Sequence, residues 1–130
     1  MRYLLDTHIF LWWIVDQPKL SAAAKCVIAA PDHEMYVSAA STWEMIIKSV
    51  IGKLSLPPSP EEFIRDQLRI NRMLPLPITI EHSLTLATLP MIHKDPFDRM
   101  LIAQTIFEEM VLITDDPVIK NYQVNVFPSC

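Results

Sequence analysis

The chain has 130 residues, with 11 Lys+Arg against 15 Asp+Glu for a formal net charge of −4, two cysteines, 11 prolines and one glycine. At 51% apolar and 20% charged it carries enough hydrophobic mass for a core in one domain spanning residues 1–130, and this excludes a disordered chain. Average usage would give roughly nine glycines. With Gly52 alone, no dinucleotide-binding glycine turn, phosphate-cradling P-loop or nucleophile elbow can be written, and the acidic balance argues against a protein that coats nucleic acid with a basic face.

Short apolar runs alternate with helical patterns from one end to the other. Tyr3–Leu5 reads as a buried strand, and the Phe10-Leu11-Trp12-Trp13 segment after it as a helix whose two tryptophans point about 100° apart, so that one of them faces outward. Ser21 precedes an Ala-rich helix in which Cys26 is expected to be a small buried side chain. Met35–Val37 is the second strand, and Ser38 caps a helix over 39–50 that stops at Gly52. Ser59-Pro60-Glu61-Glu62 gives a cap, a first-turn proline and a capping-box glutamate for the next helix. Leu74–Ile78, with Pro75 and Pro77, is expected at a sheet edge, and Thr79 caps a helix over 80–89. Asp95-Pro96 opens a helix through about Glu109, Val111–Ile113 is the fourth strand, Asp116-Pro117 starts a short turn, and Val124–Val126 is a weaker fifth strand. This alternation predicts an α/β fold of three layers, α/β/α, around a mostly parallel sheet of four to five strands.

The two cysteines, Cys26 and Cys130, form no disulfide framework, which points to a reducing compartment. The opening apolar stretch is interrupted by Asp6 and His8 and falls short of the ~20 apolar residues a membrane span requires. A cytoplasmic protein without membrane contact is expected.

In parallel sheets ligands bind beyond the carboxyl ends of the strands. Asp6 follows the first strand, Glu44 lies in the helix after the second, Asp95 and Asp98 open the helix leading to the fourth, and Asp115 and Asp116 follow Thr114. Six acidic residues thus map to one sheet end, and setting them aside leaves nine acids against eleven bases in the rest of the chain. Carboxylates crowded together repel one another unless cations neutralise them, and hard divalent ions with oxygen ligands do so. Such a pocket suits metal-dependent phosphodiester hydrolysis. Each position also has a plainer role: Asp95 as a helix cap, Asp98 in a first helical turn, Asp115 or Asp116 as a cap before Pro117, and Glu44 paired with Lys48 on an exposed helix face. Asp6, at the end of a buried strand, is the hardest to explain this way. Thr7, Ser41 and Thr114 can hydrogen-bond the carboxylates, while His8, His33, His82 and His93 lack zinc-ligand spacing; His8 and His93 flank the acidic motifs, where orienting ligands or substrate is one reading and a surface or capping role the favoured one.

The segments Tyr3-Leu4-Leu5-Asp6-Thr7-His8, Val37-Ser38-Ala39-Ala40-Ser41-Thr42-Trp43-Glu44, Lys94-Asp95-Pro96-Phe97-Asp98-Arg99-Met100-Leu101-Ile102-Ala103-Gln104 and Leu112-Ile113-Thr114-Asp115-Asp116 together resemble the PIN-domain nucleases, specifically toxins of the VapC type. The resemblance implies a three-layer α/β/α fold, endoribonuclease activity dependent on Mg²⁺ or Mn²⁺, and a cognate antitoxin. Carried over position by position, it makes Asp6, Glu44, Asp98 and Asp116 the catalytic metal ligands, with Asp95, Asp115, Thr7 and Thr114 behind them. Asp98 is chosen because it directly precedes the x-x-L-I-A segment, and Asp116 because it stands two residues after the threonine. Glu44 is also placed to accept a proton from the attacking water, and Arg99 and Lys48 are candidate phosphate contacts, with helix ion pairing as the alternative. The expected partners are RNA, a neutralising antitoxin whose basic or aromatic side chains cover the pocket, and a second copy of the chain. The competing readings are a Mg²⁺-binding phosphoacceptor domain and a non-catalytic interaction domain. The first is disfavoured because Asp6-Thr7-His8 supplies neither paired acids nor D-x-D after the first strand.

Overall fold

The structure, a computed structural model, describes residues 1–128. Cys130 lies outside the described residues. The elements are β1 (Arg2–Leu5), α1 (Thr7–Ile14), α2 (Ala22–Ala29), β2 (Glu34–Ser38), α3 (Ala39–Val50), α4 (Pro60–Ile70), β3 (Leu74–Leu76), α5 (Ile80–Thr85), α6 (Pro96–Phe107), β4 (Val111–Thr114) and β5 (Val126–Pro128), with short 3₁₀ turns at Leu86–Thr88 and Ile119–Asn121. The five strands form one parallel sheet in the order β3-β2-β1-β4-β5.

Alternation along the strands divides the core between the two sheet faces. Tyr3, Leu5, Met35, Val37 and Ile113 pack with Ile9, Phe10, Ala24, Met45 and Ile64 from α1 to α4. Leu4 and Leu112 face the other way, against Leu101 and Ile102 of α6. Residues Leu101 to Thr105 of α6 are all buried, while Ile106 and Phe107 at its end are exposed, so the middle of this helix is covered by the sheet on one side and by neighbouring elements of its own layer. The three-layer α/β/α architecture with five strands is therefore the one observed. Among the described residues no helix is long and apolar enough to cross a membrane.

Several local expectations are met and others corrected. Ser21, Ser38 and Asp95 cap their helices by accepting backbone N–H bonds, and Thr79 forms a capping box with His82. Ser59 does not cap α4 with its side chain: it adopts left-handed backbone (φ 56°), and its carbonyl accepts the N–H groups of Glu62 and Phe63 instead. The helix after Thr79 shortens to Thr85 and tightens into a 3₁₀ turn, and the fifth strand begins two residues later than the apolar run suggests. Cys26 is exposed rather than buried, because Ala24 and Ile28 take the inward face of α2 and Cys26 lies about 200° round from Ala24.

The scarce glycine has a specific use. At the end of α3, Gly52 (φ 79°) donates to Ser49 O while Lys53 donates to Lys48 O, a Schellman motif. The ends of α1, α4 and α6 close with the same pair of bonds, but there the left-handed position is held by Asp16, Arg72 and Glu109. The chain thus terminates four helices alike and gives only one of them a glycine.

A buried polar network fixes the far end of α6. His82, fully buried, accepts at Nδ1 from Thr79 N–H (3.1 Å) and lies 3.3 Å from the Gln104 amide, so Nε2–H donates to Glu108 (2.7 Å). Gln104 accepts from Ser38 (2.5 Å), and the Arg2 guanidinium donates to the Glu108 carbonyl. Replacing His82 with alanine strands several of these groups and opens a cavity, so urea denaturation is expected to show a loss of about 3 kcal/mol. An unchanged unfolding midpoint would show that the network contributes nothing.

Candidate functional site

The order β2-β1-β4 places a change of winding direction at β1, so the carboxyl ends of β1 and β4 open one crevice. The carboxylates gather there in three linked groups. Asp6 leaves β1, caps α1, and is buried; its Oδ2 accepts a 2.6 Å hydrogen bond from Thr114 at the end of β4. Glu44 is buried on α3, accepting from Thr7 at 2.8 Å and from the Lys48 ammonium at 2.7 Å, with Ser41 Oγ 2.9 Å from the Thr7 hydroxyl. The i,i+4 pair read in the sequence thus forms, but with Glu44 buried rather than on an exposed face.

Asp98 and Asp116 meet through His93. The ring Nε2 lies 3.0 Å from Asp98 and 2.9 Å from Asp116, while Nδ1 accepts from Asp95 N–H at 3.1 Å. That backbone bond leaves the hydrogen on Nε2, so the ring as placed bridges two carboxylates as a donor and offers no lone pair to a metal. A surface or capping role was the favoured sequence reading for His93; the ring instead takes the other role weighed there, orienting the acidic groups it flanks. The signal is its position two residues ahead of Asp95, which becomes readable only once the loop is known to turn the ring back onto that amide.

Asp95 accepts from Phe97 N–H (2.8 Å) and Asp98 N–H (3.2 Å), the bonding of a helix cap. Asp116 also accepts from Val118 N–H (2.9 Å), and Asp115 contributes charge beside Asp6. Arg99 is held by Pro90 O (2.8 Å), Tyr122 Oη (3.2 Å) and Leu86 O (3.5 Å), which ties the loop before α6 and occupies the guanidinium read in the sequence as a phosphate contact.

Crowding sets the electrostatics. Burial raises the Asp6 pKa despite the Thr114 hydrogen bond and nearby His8, and Asp115 adds to the rise. Asp98 is pushed up to about 7 by burial and by the charges of Asp6, Asp95 and Glu44, only partly offset by His93. Lys48 is raised mainly by its bond to Glu44, with the Asp95 and Asp98 charges adding. For His93, burial opposes the charged ring, but the bond to Asp116 and the charges of Asp98, Asp116 and Asp95 outweigh it and the pKa rises.

These are hard oxygen donors short of positive charge, which fits a divalent cation. Among the described residues, potential ligand atoms of His93, Asp98 and Asp116 lie within 4.8 Å of one another. A hollow of about 540 Å³ between α3, α4 and β3 contains none of these carboxylates and is not the site.

Comparison with curated protein sequences gives no match. Among solved structures, the chain is similar to VapBC2 from Rickettsia felis bound to a DNA fragment from its promoter (TM-score 0.74, 16% identity, 100% of each chain covered). It is also similar to DNA-bound VapBC from Salmonella typhimurium (TM-score 0.72, 16% identity, 100% and 99% covered). A third is VapBC-5 from Mycobacterium tuberculosis, a member of the VapBC family of toxin-antitoxin systems (TM-score 0.61, 15% identity, 98% and 97% covered). At these identities the likeness establishes the fold. The family model for the PIN domain matches residues 3–125, and PIN domains are generally nucleases that typically use divalent metal ions. With nearly the whole chain matched and its carboxylates gathered at the switch point of a parallel sheet, the chain belongs to the PIN-domain family.

Proposed function

We propose that this chain is a VapC-type toxin, a single PIN domain over residues 1–130 acting as an endoribonuclease dependent on Mg²⁺ or Mn²⁺ and restrained by an antitoxin protein. The observation that carries this reading is the crowding around Asp98, whose carboxyl is pushed up to about 7 largely by burial and neighbouring acids. A divalent cation relieves that repulsion. The similarity to VapBC structures supports the toxin and antitoxin part of the reading.

Asp6, Glu44, Asp98 and Asp116 would hold the cation, with Thr7 and Thr114 orienting Glu44 and Asp6. When bound, the ion supplies stabilisation of charge developing on a phosphodiester and a more acidic water. The protein's own contribution is positioning. Glu44, with Lys48 on one oxygen and Thr7 on the other, is a fixed strut better suited to ligation than to proton uptake. His93 holds Asp98 and Asp116 at a set separation and, in turn, is fixed by the Asp95 amide. Lys48, bonded to Glu44 yet still partly exposed, is a better candidate than Arg99 to meet a phosphate.

The test is incubation of the purified protein with end-labelled RNA in Mg²⁺ and in excess chelator, alongside Asp6→Asn. Internal cuts that need the metal and vanish in the variant are expected. Undiminished cutting by Asp6→Asn would sink the assignment, and absence of cutting under every condition would favour a binding domain whose carboxylates only cap helices. Light scattering on the same preparations tests the homodimer, and co-purification with the antitoxin tests the partner.

A further inference from the structure

Trp12 and Trp13, the tryptophans expected to offer an outward face, are both half-buried, and Trp13 Nε1 donates to Asn71 (2.9 Å). The exposed tryptophan is Trp43, at 59%. Its ring stands edge-to-face with Phe97, centroids 5.2 Å apart and planes at 83°. Each aromatic is the chain neighbour of a carboxylate of the site: Trp43 precedes Glu44 on α3, and Phe97 precedes Asp98 on α6. Between these helices lies a recess of about 190 Å³ walled by Trp43, Ile78, Leu86, Pro96, Phe97 and Met100.

This aromatic pair, with its indole exposed, therefore stands beside the carboxylates proposed to cut RNA. What reaches those carboxylates on the ribonuclease reading is a nucleic-acid strand, whose phosphates can meet cations such as Lys48 and whose bases need a different surface. Base stacking on an aromatic platform supplies affinity without charge.

We propose that Trp43, braced by Phe97, forms a stacking slot for one unpaired base next to the bond that is cut. The proposal rests on the ribonuclease reading and deepens it. The walls are almost wholly apolar, so the slot reads ring area rather than a hydrogen-bond pattern: adenine is preferred over uracil, and a paired base, which cannot leave its stack, is refused. Glu44 and Asp98 are the next residues along the two helices that wall the slot, so the phosphate adjoining a base held there has a short path to them.

The test uses the oligoribonucleotides A12 and U12 and a hairpin duplex, with binding measured in Mg²⁺ on an Asp98→Asn background to prevent turnover. Removing one base–aromatic stack corresponds to about a 5- to 150-fold loss of affinity. Trp43→Leu is expected to weaken A12 binding on that scale, while Trp43→Phe, which restores a ring, stays within about threefold of the parent, since stacking tolerates any aromatic face. A purely packing role would be served as well by leucine. Binding of A12 should also quench tryptophan fluorescence, and Trp43→Phe should lose the quench while Trp12 and Trp13 remain. Mg²⁺ titration midpoints should be the same in all forms. Equal A12 affinity for Trp43→Leu and its parent, or tighter binding of the duplex than of A12, overturns the slot while leaving the ribonuclease reading intact. Failure of every form to bind any RNA, together with absence of metal-dependent cutting by the unsubstituted protein, overturns both.

Discussion

Asp98→Asn is expected to abolish cleavage while making the metal-free protein more stable. The carboxyl is held near His93 (3.0 Å) among Asp6, Asp95 and Glu44, and asparagine keeps its shape without its charge. Cleavage should fall by at least about 10²-fold, the scale on which loss of one preorganised electrostatic partner acts. Above pH 7 in chelator, relief of the repulsion should add roughly 1–2 kcal/mol, a few degrees in Tm. Opposite signs are the signature of a carboxylate kept for chemistry. Asp95 provides the control: as the cap of α6, its alanine variant should lose about 1 kcal/mol. A destabilised Asp98→Asn protein that still cuts RNA would reverse the roles of the two aspartates.

Mg²⁺ should stabilise the protein, and more so as pH rises. In the metal-free fold Asp98 keeps its proton to about pH 7, whereas in the unfolded chain it loses it near the ordinary 3.8. The folded state therefore binds more protons across that window, and stability falls as pH climbs from about 4 to 7, by at most about 1.4 kcal/mol per pH unit for this group. Asp6, also raised, acts with the same sign. So does His93, whose contribution is present below its unfolded value of 6.5 and is lost as pH rises through its higher folded value. A bound cation takes the place of these protons, so its affinity grows as they leave. At a hundredfold excess over its dissociation constant, Mg²⁺ adds about 2.7 kcal/mol by mass action. Melting curves at pH 5, 6.5 and 8, with Mg²⁺ and with chelator, should diverge most at pH 8. Superimposable curves at pH 8 would mean that no ion is held.

Asp6 and Asp116 are legible in sequence because parallel strands bring their carboxyl ends to one side, so position after a strand locates them; Glu44 and Asp98 lie on helices and are picked out by the motifs around them. Helix starts at Ser21, Ser38 and Asp95 are legible for a similarly local reason, since the capping bond spans only two or three residues. What escapes is decided by long-range geometry or by a rotamer. His93 reads as a loop histidine until its ring is seen turned back onto the Asp95 amide. Arg99 reads as a phosphate contact until Pro90, Leu86 and Tyr122 are seen to take its guanidinium. Ser59 has the residue type of a cap, but its left-handed backbone leaves the side chain without a capping bond. Cys26 reads as buried because its neighbours are apolar, although helical phase turns it outward.

The clamp on α6 makes that helix a lever arm. His82 and Arg2 grip Glu108 just past one end, and Asp98 lies in the first turn at the other. The ten-residue step from one to the other spans about 15 Å, so pivoting by about 4° at the gripped end swings the Asp98 carboxyl through about 1 Å. A displacement of that size can cost on the order of 10²-fold in rate. The aim of the carboxylate is thus set partly by a histidine and an arginine that never meet the substrate, and loosening that grip would detune the enzyme before it unfolded it.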